Sequence, residues 1–264
     1  MAFRPTIFLY LPAALRFLTR LPVPRFAWEP EDGPPDLDRL GPAFPLAGAM
    51  VGVIGVIVHL TALTLLPSFL AATLAVGALV LATGALHEDG FADTADGLGG
   101  MDRARRLAIM RDSRLGTFGA VALLLATLLR IGALEGLAGL SWAGAGGALV
   151  AASALARLAA LGLIGALPSA RPDGLAGRAG RPAVATLWKA GIATLAICVV
   201  SVMMTMGWMG FLAGLLIAAL AWIGVVRLAS AKFGGQTGDV AGAAALTVEI
   251  AFLLGALIFA RSIG

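Results

Sequence analysis

From residue 43 onward the chain consists of apolar runs about twenty residues long, most of them separated by a proline, a glycine-rich turn or a short charged stretch. The hydrocarbon core of a bilayer takes about 20 apolar residues to cross as a helix, and within it the backbone has to satisfy its own hydrogen bonds. The runs fall at 43–66, 69–87, 117–139, 143–167, 187–206, 209–229 and 241–260. They predict an all-α polytopic transmembrane helix bundle of about seven spans, a single integral membrane domain over 1–264. Only 13% of residues are charged and 59% are hydrophobic, whereas a soluble domain carries about a quarter charged residues. The run 143–167 is so rich in glycine and alanine that it would make a weak span alone. Cys198 is the only cysteine, which excludes an intramolecular disulfide and any cysteine cluster for a metal.

Charge sets the orientation. With seven spans, the N-terminal segment 1–41 and the loops 88–116, 168–186 and 230–240 share one side. They hold Arg4, Arg25, Arg39, Arg103, Arg105, Arg106, Arg111, Arg114, Arg171, Arg178, Arg181 and Lys232. The turns near Pro67, Ser141 and Gly207 carry no charge. The positive-inside rule then places the charged loops in the cytoplasm, so the net charge of +4 reads as membrane topology and not as nucleic-acid binding. Residues 6–21 contain Arg16 and Arg20 and end in Leu21-Pro-Val-Pro24; they read as an interfacial or short re-entrant helix, and 25–41, with Glu29, Glu31, Asp32, Pro34, Pro35, Asp36 and Asp38, as a solvated loop.

Three polar segments on the charged side carry the chemistry. In His87-Glu-Asp-Gly-Phe-Ala-Asp-Thr-Ala-Asp-Gly-Leu-Gly-Gly100, Asp89, Asp93 and Asp96 are spaced i, i+4, i+7. On a helix they share a narrow arc and repel one another. A divalent cation removes that penalty, and hard oxygen donors suit Mg²⁺ or Mn²⁺. The alternative, a solvated helix end with acids at random, fits poorly with a chain that otherwise avoids acids. Arg111-Asp-Ser-Arg-Leu-Gly-Thr-Phe-Gly119 sets Arg111, Asp112, Ser113 and Arg114 at the mouth of a span, where guanidiniums clamp phosphates and a helix N-terminus attracts anions. Arg103, Arg105 and Arg106 read as ordinary positive-inside arginines. Lys232-Phe-Gly-Gly-Gln-Thr-Gly-Asp239 is a short glycine-rich loop, with Gly235 and Thr237 as candidate phosphate contacts, ending on Asp239. His59, inside an apolar run, reads as a packed residue. Arg130, Glu135, Arg157 and Glu249 fall within spans, where ion pairs and substrate contacts are equally plausible; Arg171-Pro-Asp-Gly174 fits a turn or a substrate lid. Clustered acids, arginines and glycine loops suit phosphoryl transfer, in which positioning and charge neutralisation do most of the catalysis.

Together with Phe17-Leu-Thr-Arg-Leu-Pro-Val-Pro24, Phe44-Pro-Leu46 and Leu167-Pro-Ser-Ala-Arg-Pro-Asp-Gly174, these motifs make the chain resemble the cobalamin synthase family, the adenosylcobinamide-GDP ribazoletransferases. The resemblance implies a multi-pass enzyme of the bacterial inner membrane whose active site faces the cytoplasm. It implies Mg²⁺-dependent joining of adenosylcobinamide-GDP to α-ribazole, or to its 5′-phosphate, with release of GMP, late in cobalamin assembly. It also allows association with other corrinoid-assembly enzymes, or a homo-oligomer. By that resemblance Asp89, Asp93 and Asp96, with Asp112, hold the metal. Asp239, His87 and Glu88 are the rival bases, and Arg111, Arg114, Lys232, Ser113, Gly235 and Thr237 contact substrate.

Asp93-Thr-Ala-Asp96-Gly97 is also similar to the start of the CDP-alcohol phosphotransferase signature, so a membrane lipid synthase is the first rival. No Ala-Arg pair follows at the expected place, and the later Gly-x₃-Asp-x₃-Asp is absent. A transporter is the second; its acids belong mid-span, within inverted repeats, and here they cluster at one edge. The topology has a direct check: reporter fusions after Pro67 and after Arg178 should register opposite sides of the membrane, and the same side for both would refute seven spans.

Overall fold

A computed structural model describes residues 7–27, 29 and 35–262. Arg4, Glu31, Asp32 and Pro34, read above as parts of charged loops, lie outside the described residues. Among the described residues the fold is helical, with one β-type contact, the isolated bridge between Ser169 and Gln236.

The chain opens with α1 (Ile7–Leu18), whose 12 residues are too few to cross a bilayer. Arg16 pairs with Glu29, and Phe17 stacks on Phe44 with ring centroids 5.7 Å apart. A short helix, α2 (Leu37–Leu40), starts on Asp36, whose carboxylate accepts from the Asp38 and Arg39 amides. Asp38, expected in a solvated loop, accepts from the Ala183 amide (2.7 Å) and the Thr186 hydroxyl (2.8 Å). It thereby caps the helix that begins at Val184, bonding the Ala183 amide 145 residues further on. The elements that follow are α3 (Phe44–Leu63), α4 (Ser68–Thr83), α5 (Leu86–Leu98), α6 (Arg103–Ile109), α7 (Thr117–Leu140), α8 (Trp142–Ala166), α9 (Leu175–Ala179), α10 (Val184–Cys198), α11 (Met204–Leu228) and α12 (Gly238–Ser262).

Among the described residues, six helical stretches are long and apolar enough to cross a membrane, and the bent pair of α4 and α5 makes a seventh if it is one broken span. The expected runs thus become α3, α4, α7, α8, α10, α11 and α12. The run 69–87 ends early, because the chain turns by 90° between α4 and α5. Two consecutive left-handed residues make the corner, Gly84 (φ 62°) and Ala85 (φ 58°). The acidic stretch, whose spacing implied a helix within the polar segment 88–116, is a separate helix at a right angle to α4, with Glu88 beside Arg130 and Asp96 at the start of α7.

Small residues set the packing. A methyl group on Gly48 would lie 2.4 Å from the Ser153 carbonyl oxygen, and one on Gly52 would lie 2.8 Å from the Val150 Cα. Only glycine lets α3 approach α8 this closely. The glycine- and alanine-rich α8, weak as a lone span, packs against α3, α7, α10, α11 and α12. Its central place removes the need for a lipid-facing apolar surface. A π-helical turn at Ala229–Phe233 widens the end of α11 just before the glycine loop.

A left-handed alanine costs about 1–2 kcal/mol. Ala85→Gly should therefore raise the thermal unfolding midpoint in detergent, and Ala85→Val should lower it. Equal midpoints for all three proteins would show that the corner carries no strain.

Candidate active site

The corner at Gly84–Ala85 lays α5 across α12, and glycines bring the two helices into contact. A methyl on Gly90 would lie 2.6 Å from the Asp239 carbonyl oxygen, and one on Gly242 would lie 3.5 Å from the Gly90 Cα. This crossing sets Asp89 and Asp93 beside Asp239 in the first turn of α12. Asp89 is exposed, whereas Asp93 and Asp239 are half-buried. Burial, reinforced by the charges of Asp89, Asp239 and Asp96 and opposed by Arg171, pushes the Asp93 carboxyl up to about 6. Asp93 lies on α5, outside the spans. Carboxylates held this close share an unrelieved negative field.

Arg171, from the α8–α9 loop, is the cation nearest that field. Its Nη1 donates to Asp239 Oδ2 at 2.9 Å and its Nη2 to the Leu107 carbonyl at 2.8 Å. The loop that fitted either a turn or a lid is thus part of the site. It is stitched to the glycine loop: the Gln236 amide donates to the Pro168 carbonyl and the Ala170 amide to the Gln236 carbonyl, both at 2.8 Å. Gly235 has φ 154°, and a methyl there would lie 2.2 Å from the Pro168 oxygen. Buried Thr237 accepts from the Val240 amide at 3.2 Å, starting α12. Arg103, read above as a topological arginine, lies over Gly234, where a methyl would sit 2.4 Å from its guanidinium carbon.

The remaining expected residues separate into two groups. Asp96 faces α7: its Oδ2 accepts from the Gly116 amide and its Oδ1 from the Gly119 amide, both at 2.8 Å, so both oxygens cap that helix. Asp112 is held by Arg114 at 2.6 Å, and that hydrogen-bonded guanidinium lowers its carboxyl to about 2. Arg111 pairs with Asp173 at 3.0 Å. Arg111, Ser113, Arg114 and Lys232 are all exposed on the polar end. Among the described residues, no three His, Cys, Asp or Glu side chains enclose a metal position as they stand.

Glu88 and His87 point away from the polar surface. Glu88 accepts from Arg130 Nη1 at 2.7 Å, Arg130 Nη2 lies 2.7 Å from Glu249, and Arg157 Nη1 lies 3.8 Å from Glu249. Arg130, Arg157 and Glu249 are each 3% exposed, so the two acids and two arginines form a neutral buried network joining α5, α7, α8 and α12. His87 is buried beside it. Glu88, held by Arg130 inside the bundle, serves as the anchor of α5 and does not face the open site. The expected ion pairs of Arg130, Arg157 and Glu249 are present; the inward direction of Glu88 has no signal in a spacing that treats 88 and 89 alike.

On the polar side a mainly apolar cavity of about 280 Å³ opens beside Asp89, Arg171 and Asp239. Phe17, Phe44, Ala160 and Ile164 line its interior.

Comparisons with known proteins converge. Residues 10–257 match the family model described as cobalamin-5-phosphate synthase. An adenosylcobinamide-GDP ribazoletransferase from Xanthobacter autotrophicus is 50% identical over 253 residues, covering 94% of this chain and 96% of that protein. Another of the same name, from Azorhizobium caulinodans, is 47% identical over 251 residues, 94% of this chain and 95% of that one. No solved structure matches.

Removing one partner of a buried ion pair costs about 3–5 kcal/mol. Arg130→Met should lower stability in detergent by about that amount, and adding Glu88→Gln should restore part of it. A lone Arg130→Met as stable as the parent would dismiss the network as the anchor of α5.

Proposed function

The chain belongs to the cobalamin-5-phosphate synthase family, and on that premise we propose that its polar end carries out ribazole transfer: the adenosylcobinamide-phosphate group of adenosylcobinamide-GDP passes to a ribose hydroxyl of α-ribazole or of its 5′-phosphate, one that stays free when the 5′ position carries phosphate, and GMP leaves. The observation that carries this reading is the carboxylate cluster of Asp89, Asp93 and Asp239, held against Arg171 at the mouth of an apolar cavity.

The donor set suits Mg²⁺. Mg²⁺ commonly uses one or two carboxylates and completes its shell with waters and substrate phosphates, so a closed protein cage is not needed. Asp89 and Asp93, whose mutual repulsion helps hold Asp93 protonated to about pH 6, would hold it, with Asp239 at the edge. When bound, the ion neutralises the pyrophosphate and the charge that develops on departing GMP.

The chain's own groups divide the remaining work. Asp239 lines the cavity and takes the acceptor hydroxyl proton as the new O–P bond forms at the cobinamide-side phosphorus. The bond from that phosphorus to the bridging oxygen breaks, and the oxygen leaves with GMP. Arg171 orients Asp239 through its 2.9 Å contact. Arg111, Arg114 and Lys232, exposed on the same end, neutralise the nucleotide, the first two by exchanging their contacts with Asp173 and Asp112 for phosphate oxygens. The basic loops on this end support a cytoplasmic active site on a bacterial inner membrane.

Purified protein given adenosylcobinamide-GDP, α-ribazole and Mg²⁺ should release GMP and form a cobalamin. Release of CMP from a CDP-alcohol instead would favour the lipid-synthase rival. Asp239→Asn should lower kcat by roughly 10²–10⁴-fold. A cation needs Asp93 ionised, so the Mg²⁺ concentration for half-maximal rate should rise as pH falls below about 6. In Asp93→Asn that rise should disappear along with most of the Mg²⁺ response; an unchanged response would refute the metal role.

A further inference from the structure

The cavity beside Asp89 and Asp239 is built for a particular kind of guest. Its volume is about 280 Å³, just under the roughly 300–1,000 Å³ of pockets that hold drug-sized ligands. Its walls come from five directions: Phe17 of α1, Phe44 of α3, Gly90 of α5, Ala160 and Ile164 of α8, and Ala176 of α9. Phe17 and Phe44 are stacked nearly parallel, 19° apart. Its polar lining is gathered in one place: Arg171 and Thr237 both contact Asp239, and Asp89 lies near enough for its charge to act on Asp239.

We propose that this cavity is the acceptor subsite, which takes the flat, apolar base of α-ribazole and presents its ribose hydroxyl to Asp239. The proposal rests on the ribazole-transfer reading above. Three groups of the two substrates compete for the space. A corrin macrocycle with its amide fringe is too large for about 280 Å³. Guanine would fit by size, but its several hydrogen-bonding edges would face Phe, Ile and Ala walls, and each unsatisfied group costs about 1–3 kcal/mol. The methylated benzimidazole of α-ribazole is planar and apolar, and beyond the nitrogen bonded to ribose it carries a single ring nitrogen. Buried base inward, such a nucleoside leaves its sugar at the polar end. The corrinoid pyrophosphate then approaches from outside, past the loop that carries Arg171, where exposed Arg111 pairs with Asp173.

The test is a change in pocket size read against acceptor size. Ala160→Phe narrows the cavity from the α8 wall, and Ile164→Ala enlarges it. In the full-length detergent-solubilised enzyme, Ala160→Phe should raise the KM for α-ribazole about tenfold or more, with the KM for adenosylcobinamide-GDP changed by less than about twofold. A riboside of unmethylated benzimidazole should recover most of the lost kcat/KM in Ala160→Phe but gain nothing in Ile164→Ala. A misfolded variant would lose all acceptors equally, so selective recovery reports the subsite itself. The subsite is overturned if Ala160→Phe acts on the KM for adenosylcobinamide-GDP instead, or if neither variant changes the preference between the two acceptors.

Equilibrium dialysis with α-ribazole alone separates this proposal from the reaction it rests on. Wild-type protein that releases no GMP, yet retains α-ribazole and loses it on Ala160→Phe, would end the transfer reading and keep the subsite. Wild-type protein that releases GMP and forms cobalamin, with α-ribazole retention and KM untouched by either substitution, would end the subsite and keep the transfer reading.

Discussion

Two buried arginines, Glu249 buried with them and the largely covered Glu88 hold the helix that carries the candidate-site carboxylates. A charge taken into a low-dielectric interior is tolerated only when paired, and here Glu88 on α5 and Glu249 on α12 share Arg130 of α7, with Arg157 of α8 beyond. α5 has little apolar surface of its own to bind it to the bundle. The Glu88–Arg130 pair supplies directional contact where a greasy face would supply only adhesion. Asp89 is the next residue, about 100° further around the helix, and it is exposed while Glu88 turns inward. The carboxylates of the candidate site are thus positioned by an ion pair set deeper in the bundle.

The rest of the polar end follows from close approach. Gly90 admits the α12 backbone, Gly235 admits the Pro168 carbonyl, and Gly119 admits the Asp96 carboxylate. Each of these glycines joins segments far apart in sequence. A membrane bundle has little hydrophobic drive between its helices, so shape and polar contact carry the assembly. The same features that pack the protein also compress four acidic side chains, Asp89, Asp93, Asp96 and Asp239, into one region. The raised Asp93 carboxyl is the electrostatic record of that compression.

Much of this was legible from residue order. The spans were, because hydrocarbon thickness imposes a length and apolar runs display it, and so were the three polar segments, because acids and arginines are rare enough to stand out. The i, i+4, i+7 spacing of Asp89, Asp93 and Asp96 correctly implies a helix. It does not distinguish an aspartate that faces the open site from one that caps a neighbour: Asp96 turns to the first turn of α7, a partner 20 residues on. Asp38 likewise caps α10 across 145 residues. Arg171 could be seen as polar but not as the partner of Asp239, since the pair is made by the fold. The 90° corner was hidden because Ala85 is an unusual residue for a left-handed conformation.

The hairpin of α7 and α8 turns on a single residue, Ser141, whose hydroxyl accepts from the Gly144 amide. One residue leaves no slack. An insertion or deletion in either helix between Arg130 and Arg157 would rotate one arm by about 100° and slide it by about 1.5 Å, carrying an arginine away from Glu249. Chain length across this hairpin is therefore as much a determinant of the site as residue identity, although the hairpin tip lies at the end of the bundle away from the reaction.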